Sequence, residues 1–136
     1  MNLPLPIGAS ELTRPFWEAA AARRLVRPVC DRCGASFFVP QHACPHCHGE
    51  AWTYRESSGR GVVSSCTVVH RGPTRDFTVP YVVAIVDLDE GWFMMSNIVH
   101  CDPGSVAIGQ RVVVDFQRRG DGVVLPVFQV LAESRT

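Results

Sequence analysis

Four of the six cysteines stand in two pairs that have the same internal spacing. Cys30 and Cys33 enclose two residues, ten residues follow, and Cys44 and Cys47 again enclose two. Each C-x2-C segment can fold into a tight turn that points both sulfurs at one metal ion, and two such turns complete a tetrahedron of thiolates. Zinc favours this closed set of ligands, which leaves no position open for Lewis-acid chemistry. The sequence therefore predicts a structural zinc site.

The same segment has three competing interpretations. Rubredoxin-like iron sites use similar turns, but this segment is too short for a whole electron-transfer domain. Disulfides are disfavoured because the N-terminus lacks the basic start and apolar stretch of a secretory signal, so we expect a reducing, cytoplasmic compartment. One of His42, His46 and His48 could replace a sulfur. Since four thiolates already satisfy zinc, we expect these histidines to be exposed or to hydrogen-bond around the site.

The remaining reactive side chains do not form a catalytic constellation. The sequence contains no G-x-S-x-G, H-E-x-x-H, G-x-G-x-x-G or phosphate-binding glycine motif. Cys66 and Cys101 lack a C-x2-C partner and are expected to be small buried residues. His70 is interpreted as a core or rim histidine, and the acidic side chains between positions 87 and 90 as a solvated turn. No catalytic residue is therefore predicted.

The segment 71–80 is the candidate ligand-binding loop. Arg71 and Arg75 could hold a phosphate group, and Phe77 with Tyr81 could stack an adenine. An ordinary surface loop with solvated arginines is the other interpretation.

Composition narrows the class of protein. The chain has 136 residues, of which 46% are hydrophobic and 19% charged, as expected for one globular domain or two small modules. Its 13 basic residues are all arginine and balance 13 acidic ones, so the formal net charge is zero. This balance argues against general binding of phosphate backbones. The apolar runs are far shorter than the roughly 20 residues of a spanning helix, so no membrane segment is expected.

Three zones must position these groups: an arm and helix in 1–27, the zinc ribbon in 28–50, and a barrel in 51–136. Thr13 is predicted to cap the helix, Pro15 to lie in its first turn and Pro28 to end it. Its apolar face is expected to dock on the rest of the chain or on a partner. Five apolar, β-branched segments predict strands at 62–70, 81–88, 92–99, 111–116 and 123–131.

Five strands in so short a span predict a mainly β fold with a small barrel. A short helix in 102–110, between the third and fourth strands, would match an oligonucleotide/oligosaccharide-binding (OB) barrel, while an SH3-like barrel or a small sandwich fits the strand pattern as well. Pro126 cannot donate to a sheet, so the last strand is predicted to be an edge strand or to carry a bulge.

This order of parts resembles the family described as domain of unknown function 35, over about residues 16–130. The family's members are zinc-ribbon plus OB-fold proteins associated with acyl-CoA metabolism. The most specific segments are Phe16-Trp17-Glu18, the ribbon from Cys30 to Cys47, and 67–71, 79–81, 96–99 and 101–103 in the barrel. One departure is His48, which follows Cys47 where the family's C-P-x-C-G pattern has glycine.

The resemblance implies a non-catalytic partner of thiolase-superfamily enzymes in thiolysis, acyl transfer or aldol cleavage. It also implies a MaoC-like enoyl-CoA hydratase as another partner, and a role in scaffolding the assembly and holding the CoA thioester. The resemblance implies that the four ribbon cysteines are the zinc ligands. It implies no CoA contact residue by residue, so the expected contacts of Arg71, Arg75 and Phe77 with CoA rest on the composition of their loop alone. The competing hypotheses are a nucleic-acid-binding OB-fold and zinc-ribbon module and a small redox carrier.

Overall fold

The computed structural model describes residues 3–131, in which one helix precedes seven strands. The elements are α1 (Arg14–Ala21), β1 (Val26–Cys30), β2 (Trp52–Glu56), β3 (Arg60–Val69), β4 (Tyr81–Leu88), β5 (Trp92–Val99), a 3-10 turn (Pro103–Ser105), β6 (Arg111–Arg118) and β7 (Val124–Val130). No helix within this range is long and apolar enough to cross a membrane.

Helix α1 differs from its prediction at both ends. Thr13 occupies the N-cap position, as predicted, but its backbone angles are helical and its side chain makes no capping hydrogen bond. Its hydroxyl instead accepts a hydrogen bond from the Ser10 amide at 2.9 Å. The helix also ends at Ala21, well before Pro28, because Arg23 adopts a left-handed conformation with φ of 61°. The Arg24 amide then bonds back to the carbonyl of Ala19 at 2.8 Å, and Pro28 lies inside β1.

The ribbon is closed by a two-stranded antiparallel sheet. β1 and β2 pair from Val26 opposite Glu56 to Cys30 opposite Trp52, so the chain enters and leaves the ribbon at neighbouring points. The segment 52–56, assigned from the sequence to the barrel zone, thus pairs with the ribbon. Short strands so far apart in sequence carry no local pairing signal.

The remaining five strands form a closed barrel in the order β3-β4-β5-β7-β6. All neighbouring pairs are antiparallel except β5 and β7, which run parallel through Ile98 opposite Phe128 and Val99 opposite Gln129. A 3-10 turn lies between β5 and β6, where the OB-fold pattern predicts a short helix, so the predicted mainly β fold with a small five-stranded barrel is confirmed. Fully buried side chains fill its centre: Phe128, Val63, Val82, Val86 and Val112.

The prediction for the last strand was wrong. β7 is paired on both sides, so it is not an edge strand, and its register against β6 runs without a shift, so that pairing has no bulge either. Pro126 is tolerated because its carbonyl group, and with it the nitrogen that lacks a hydrogen, faces β5, whose pairing with β7 begins only at Phe128. The hydroxyl of Ser96 in β5 instead donates to the Pro126 carbonyl oxygen at 2.8 Å.

A chain of aromatic side chains joins helix, ribbon and barrel. Phe16 of α1 contacts Trp17 edge to face, with ring centroids 5.0 Å apart. It also contacts Phe38 of the ribbon at 5.3 Å, and Phe38 contacts Trp92 of β5 at 5.4 Å. Such pairs contribute about 0.5–1.5 kcal/mol each beyond the area they bury. The helix therefore docks on its own fold, as one of the two interpretations expected.

Candidate metal centre

The ribbon brings the four paired cysteines into one cluster. The sulfurs of Cys30, Cys33, Cys44 and Cys47 all lie within 4.8 Å of one another. Cys30 and Cys47 are separated by 3.5 Å between sulfurs, and Cys33 and Cys44 by 3.7 Å. A zinc ion bound at about 2.3 Å from each of four tetrahedral sulfurs would require sulfurs about 3.8 Å apart. The donor set and its spacing therefore fit zinc.

Backbone amides of the two turns point at the sulfurs and favour their thiolate form. Three amides donate to a sulfur, each at an N to S distance of 3.4 Å: that of Cys33 to Cys30, that of His46 to Cys44, and that of Gly49 to Cys47. Gly34 follows the first cysteine pair with φ of 76°, and His48 follows the second with φ of 65°. The histidine in place of the family's glycine thus adopts the same left-handed turn, which histidine tolerates better than most residues.

The crowded thiols influence one another. The backbone hydrogen bond from Cys33 lowers the pKa of the Cys30 thiol to about 6. A backbone hydrogen bond from Ala35 likewise favours the Cys33 thiolate, but desolvation and the neighbouring sulfurs prevail and raise the pKa of Cys33 to about 11. Four thiolates at this distance repel one another, so a cation is needed to hold all of them ionised.

The site is closed on its inner side. Cys30 and Cys44 are buried together with Phe37, and Trp52 packs against them with its ring centroid 5.8 Å from that of Phe37. Cys33 is the one exposed member of the four. The three ribbon histidines are all exposed, and the metal-binding cluster within residues 3–131 contains none of them. Such a site supplies stability and offers no open position to a substrate.

The loop 71–80 lies beside an open cleft on the barrel. Phe77 packs nearly parallel to Tyr81, with ring centroids 5.8 Å apart, and is 47% exposed. The cleft runs from Phe77 to the β6–β7 hairpin, where Arg118 and Arg119 line it. Arg71 and Arg75 are exposed on the same loop but do not line the cleft.

Arg118 and Arg119 were not identified from the sequence as candidate binding residues. They have local partners: Arg119 pairs with Asp121 at 2.6 Å, and Arg118 donates to the Gly122 carbonyl oxygen at 3.4 Å. The only signal in the sequence was the doubled arginine ahead of the turn.

The other candidate side chains lie apart from the metal centre. Cys66 and Cys101 are half-buried and pack against the barrel core, less buried than expected. His70 is exposed at the end of β3, so it belongs to the rim and not to the core. In the acidic turn, Asp87 and Asp89 are exposed as predicted, with Asp89 held by both terminal nitrogens of Arg111 at 2.9 Å.

Glu90 departs from the prediction of a solvated turn. Its carboxylate accepts hydrogen bonds from the Ser57 hydroxyl at 2.6 Å, the Ser58 amide at 2.8 Å and the Trp92 indole N–H at 3.2 Å. Partial burial opposes ionisation, but these donors prevail and lower the pKa of Glu90 to about 2. Since Ser57 follows β2 and its amide bonds to the carbonyl of Leu25 at 2.8 Å, Glu90 ties the ribbon to the barrel.

Family models match the chain in two adjoining parts. Residues 17–53 match "ChsH2, rubredoxin-like zinc ribbon domain", and residues 54–117 match "ChsH2, C-terminal OB-fold domain".

Curated relatives carry two kinds of name. The chain is 40% identical to a "DUF35 domain-containing scaffold protein" of Methanothermobacter thermautotrophicus, over 80% of this chain and 84% of that protein. It is 41% identical to a "Probable enoyl-CoA hydratase alpha subunit" of Thermomonospora curvata over 84% of this chain. That match covers only 36% of the alpha subunit, so the chain spans about a third of its length.

Two solved structures share the fold. A chain of the "Ltp2-ChsH2(DUF35) aldolase" superimposes with a TM-score of 0.84 and 36% identity, over 92% of this chain and 98% of that one. A DUF35 family protein of unknown function from Sulfolobus solfataricus has a TM-score of 0.60 over 78% of both chains. Its identity is 16%, so this second likeness concerns the fold alone.

Proposed function

The chain belongs to the DUF35 family of ChsH2-like zinc-ribbon and OB-fold proteins, and from this premise we propose that it is a non-catalytic subunit of a thiolase-superfamily complex. The partner would be a thiolase, acyltransferase or aldolase that acts on acyl-CoA thioesters. The observation that carries the proposal is the 36% identity, over 98% of its length, to the chain of the Ltp2-ChsH2(DUF35) aldolase. The relatives named scaffold proteins support the non-catalytic role.

A hydratase is the other partner that the comparisons favour. Two relatives are named as hydratase alpha subunits, and in each the match to this chain covers about a third of the protein. We therefore propose that a MaoC-like hydratase belongs to the same assembly or takes the place of the thiolase-like enzyme. Because the ribbon needs four reduced cysteines, we place the complex in the cytoplasm.

The zinc site has a structural role in this proposal. We assign Cys30, Cys33, Cys44 and Cys47 as ligands of one zinc ion, supported by the spacing of their sulfurs. The ribbon's own core of buried residues consists of Cys30, Phe37 and Cys44. Metal binding would thus supply most of its folding free energy, which is on the order of 10 kcal/mol in zinc-finger peptides.

The cleft beside the loop 71–80 is the proposed contact with CoA. The Phe77 ring, backed by Tyr81, offers a stacking surface to an adenine. Arg71 and Arg75 remain free to reach phosphate from the loop, and Arg118 faces the cleft from the opposite hairpin. The same stack could hold a nucleic-acid base, which is the reason a nuclease control belongs to the test.

The test is affinity purification of the tagged chain from its native host, with and without nuclease, followed by mass spectrometry. We expect a thiolase-like or hydratase-like subunit in near-stoichiometric amount that survives nuclease. The isolated chain should not turn over acyl-CoA thioesters, since its sequence predicts no catalytic residue. Cleavage of a thioester by the chain alone, or recovery of nucleic acid with companions that nuclease removes, would contradict the proposal.

A further inference from the structure

An exposed apolar surface lies where ribbon, helix and barrel meet. Val39 of the ribbon is 63% exposed, and Phe93 and Met95 of β5 are 57% and 68% exposed. We call these three side chains, with the two hollows beside them, the junction face. Large apolar side chains grouped at this level of exposure commonly mark a site of association.

The first hollow has a volume of about 310 Å³ and lies between α1, the ribbon and the barrel. Its walls include Trp17 of α1, Pro40 of the ribbon, Met95 of β5 and Leu125 of β7. The second, also about 310 Å³, lies on the other side of Phe38 and is bordered by Phe93. Both are open on one side and near the lower limit of about 300 Å³ for ligand pockets. This shape suits a protruding apolar side chain.

The junction face is held in position before any partner arrives. Phe38, which borders both hollows, is packed between Phe16 and Trp92. The Glu90 carboxylate binds the Trp92 indole and the segment after β2, which fixes the ribbon against the barrel. A surface that is already ordered loses little conformational entropy on binding.

Charge decides between the classes of partner. The chain carries 13 basic and 13 acidic residues, yet none of the residues that line either hollow is Arg, Asp or Glu. A nucleic acid or an anionic membrane would require basic side chains here. Apart from His46, which borders the second hollow, no ionisable side chain lines this face. It is therefore complementary to an uncharged protein surface, as in the desolvated centre of a stable interface.

We propose that the junction face is the surface on which the enzyme subunit docks, with an uncharged apolar side chain of that subunit inserted into the hollow beside Met95. The occupant is the thiolase-like subunit, so the inference rests on the proposed function and deepens it, and recovery of a hydratase-like subunit alone would overturn it. A buried apolar anchor surrounded by contacts that exclude water is the usual arrangement of an interface centre.

The test compares the same charge at two places. Met95→Glu and Phe93→Glu put a carboxylate into the junction face, whereas Ile108→Glu puts one on a side chain that is 70% exposed and lines neither hollow. The probe is the enzyme subunit recovered with the wild-type chain, and the readout is its Kd for each purified full-length variant. Zinc content and melting temperature are measured for every variant.

We expect Met95→Glu to weaken binding by roughly thirtyfold, as for loss of an interface hot spot. Ile108→Glu should stay within about twofold of wild type, as for a neutral surface substitution. Binding of both junction-face variants at wild-type affinity would overturn the inference while the proposed function stands. The inference would also be overturned if Ile108→Glu weakened binding of the enzyme subunit as much as Met95→Glu does. A wild-type homodimer that Met95→Glu dissociates would overturn it too, because a second copy of the chain would then be the occupant. If the wild-type chain recovers no such enzyme subunit, the proposed function and this inference both fail.

Discussion

Replacing Glu90 with glutamine removes the charge that joins the ribbon to the barrel and preserves the shape of the side chain. Three donors hold the carboxylate, and they lower its pKa from 4.5 to about 2. At about 1.4 kcal/mol per pKa unit, this shift corresponds to about 3 kcal/mol of stability at neutral pH. Since part of the side chain still contacts solvent, we expect Glu90→Gln to lower the free energy of unfolding by about 2 kcal/mol.

The assay is urea unfolding of the zinc-loaded chain at several pH values, with Asp87→Asn as the matched control. Asp87 is an exposed carboxylate on the same hairpin, so its replacement makes the same change in net charge. We expect Asp87→Asn to unfold within about 0.5 kcal/mol of wild type. Protonation of the zinc ligands affects all three proteins alike and therefore cancels in the differences between them.

The pH dependence has a definite sign. The pKa of Glu90 is lower in the folded state than in the unfolded state, so its contribution is complete above pH 4.5 and is lost as the pH falls toward 2. The difference between wild type and Glu90→Gln should be constant from about pH 7 to 5.5 and smaller by about 0.8 kcal/mol at pH 4. Equal unfolding free energies at neutral pH, or an equal loss in Asp87→Asn, would refute the role assigned to these hydrogen bonds.

Two further substitutions test the ribbon and the barrel. Cys44 is fully buried, so Cys44→Ser should release zinc and unfold the ribbon, as measured by elemental analysis and circular dichroism, while Cys66→Ser should keep the metal. One zinc per chain and undiminished thermal stability in Cys44→Ser would show that the four-thiolate assignment is wrong. A Cβ on Gly61 would lie 2.3 Å from the carbonyl oxygen of Asp87, so Gly61→Ala should cost about 2–3 kcal/mol in chemical denaturation. Gly120→Ala, where nothing lies within 4 Å, should cost little, and an equal loss at both positions would contradict this account of the close packing.

The sequence was most informative where short-range signals agree. The predicted bounds of β4 and β5 match the structure, because both strands flank the turn that ends in Gly91, which has φ of 88°. The spacing of the cysteines likewise predicted one cluster of four sulfurs, and the structure places these sulfurs together. A turn and a C-x2-C pair are each determined within a few residues, so one sequence suffices to find them.

Features that depend on contacts between residues far apart in the chain could not be predicted from the sequence. In β5 the inward residues Trp92 and Met94 alternate with the outward residues Phe93 and Met95. All four are apolar, so periodicity could not identify the junction face. Glu90 was interpreted as solvated because two of its donors, Ser57 and Ser58, lie more than thirty residues away in the sequence. Contacts of this kind depend on how separate elements pack, which local pattern does not reveal.

The position of β7 between β5 and β6 has a consequence for synthesis of the protein. Translation produces β6 before β7, so until the segment Val124–Val130 emerges, β5 and β6 each expose an edge that the finished barrel covers. The ribbon is complete much earlier, and its cysteines can bind metal while the barrel is still open. A nascent chain at that stage can already hold zinc but lacks residues 125–127, which line the hollow beside Met95. The order of synthesis thus allows metal to be loaded before the proposed docking surface exists.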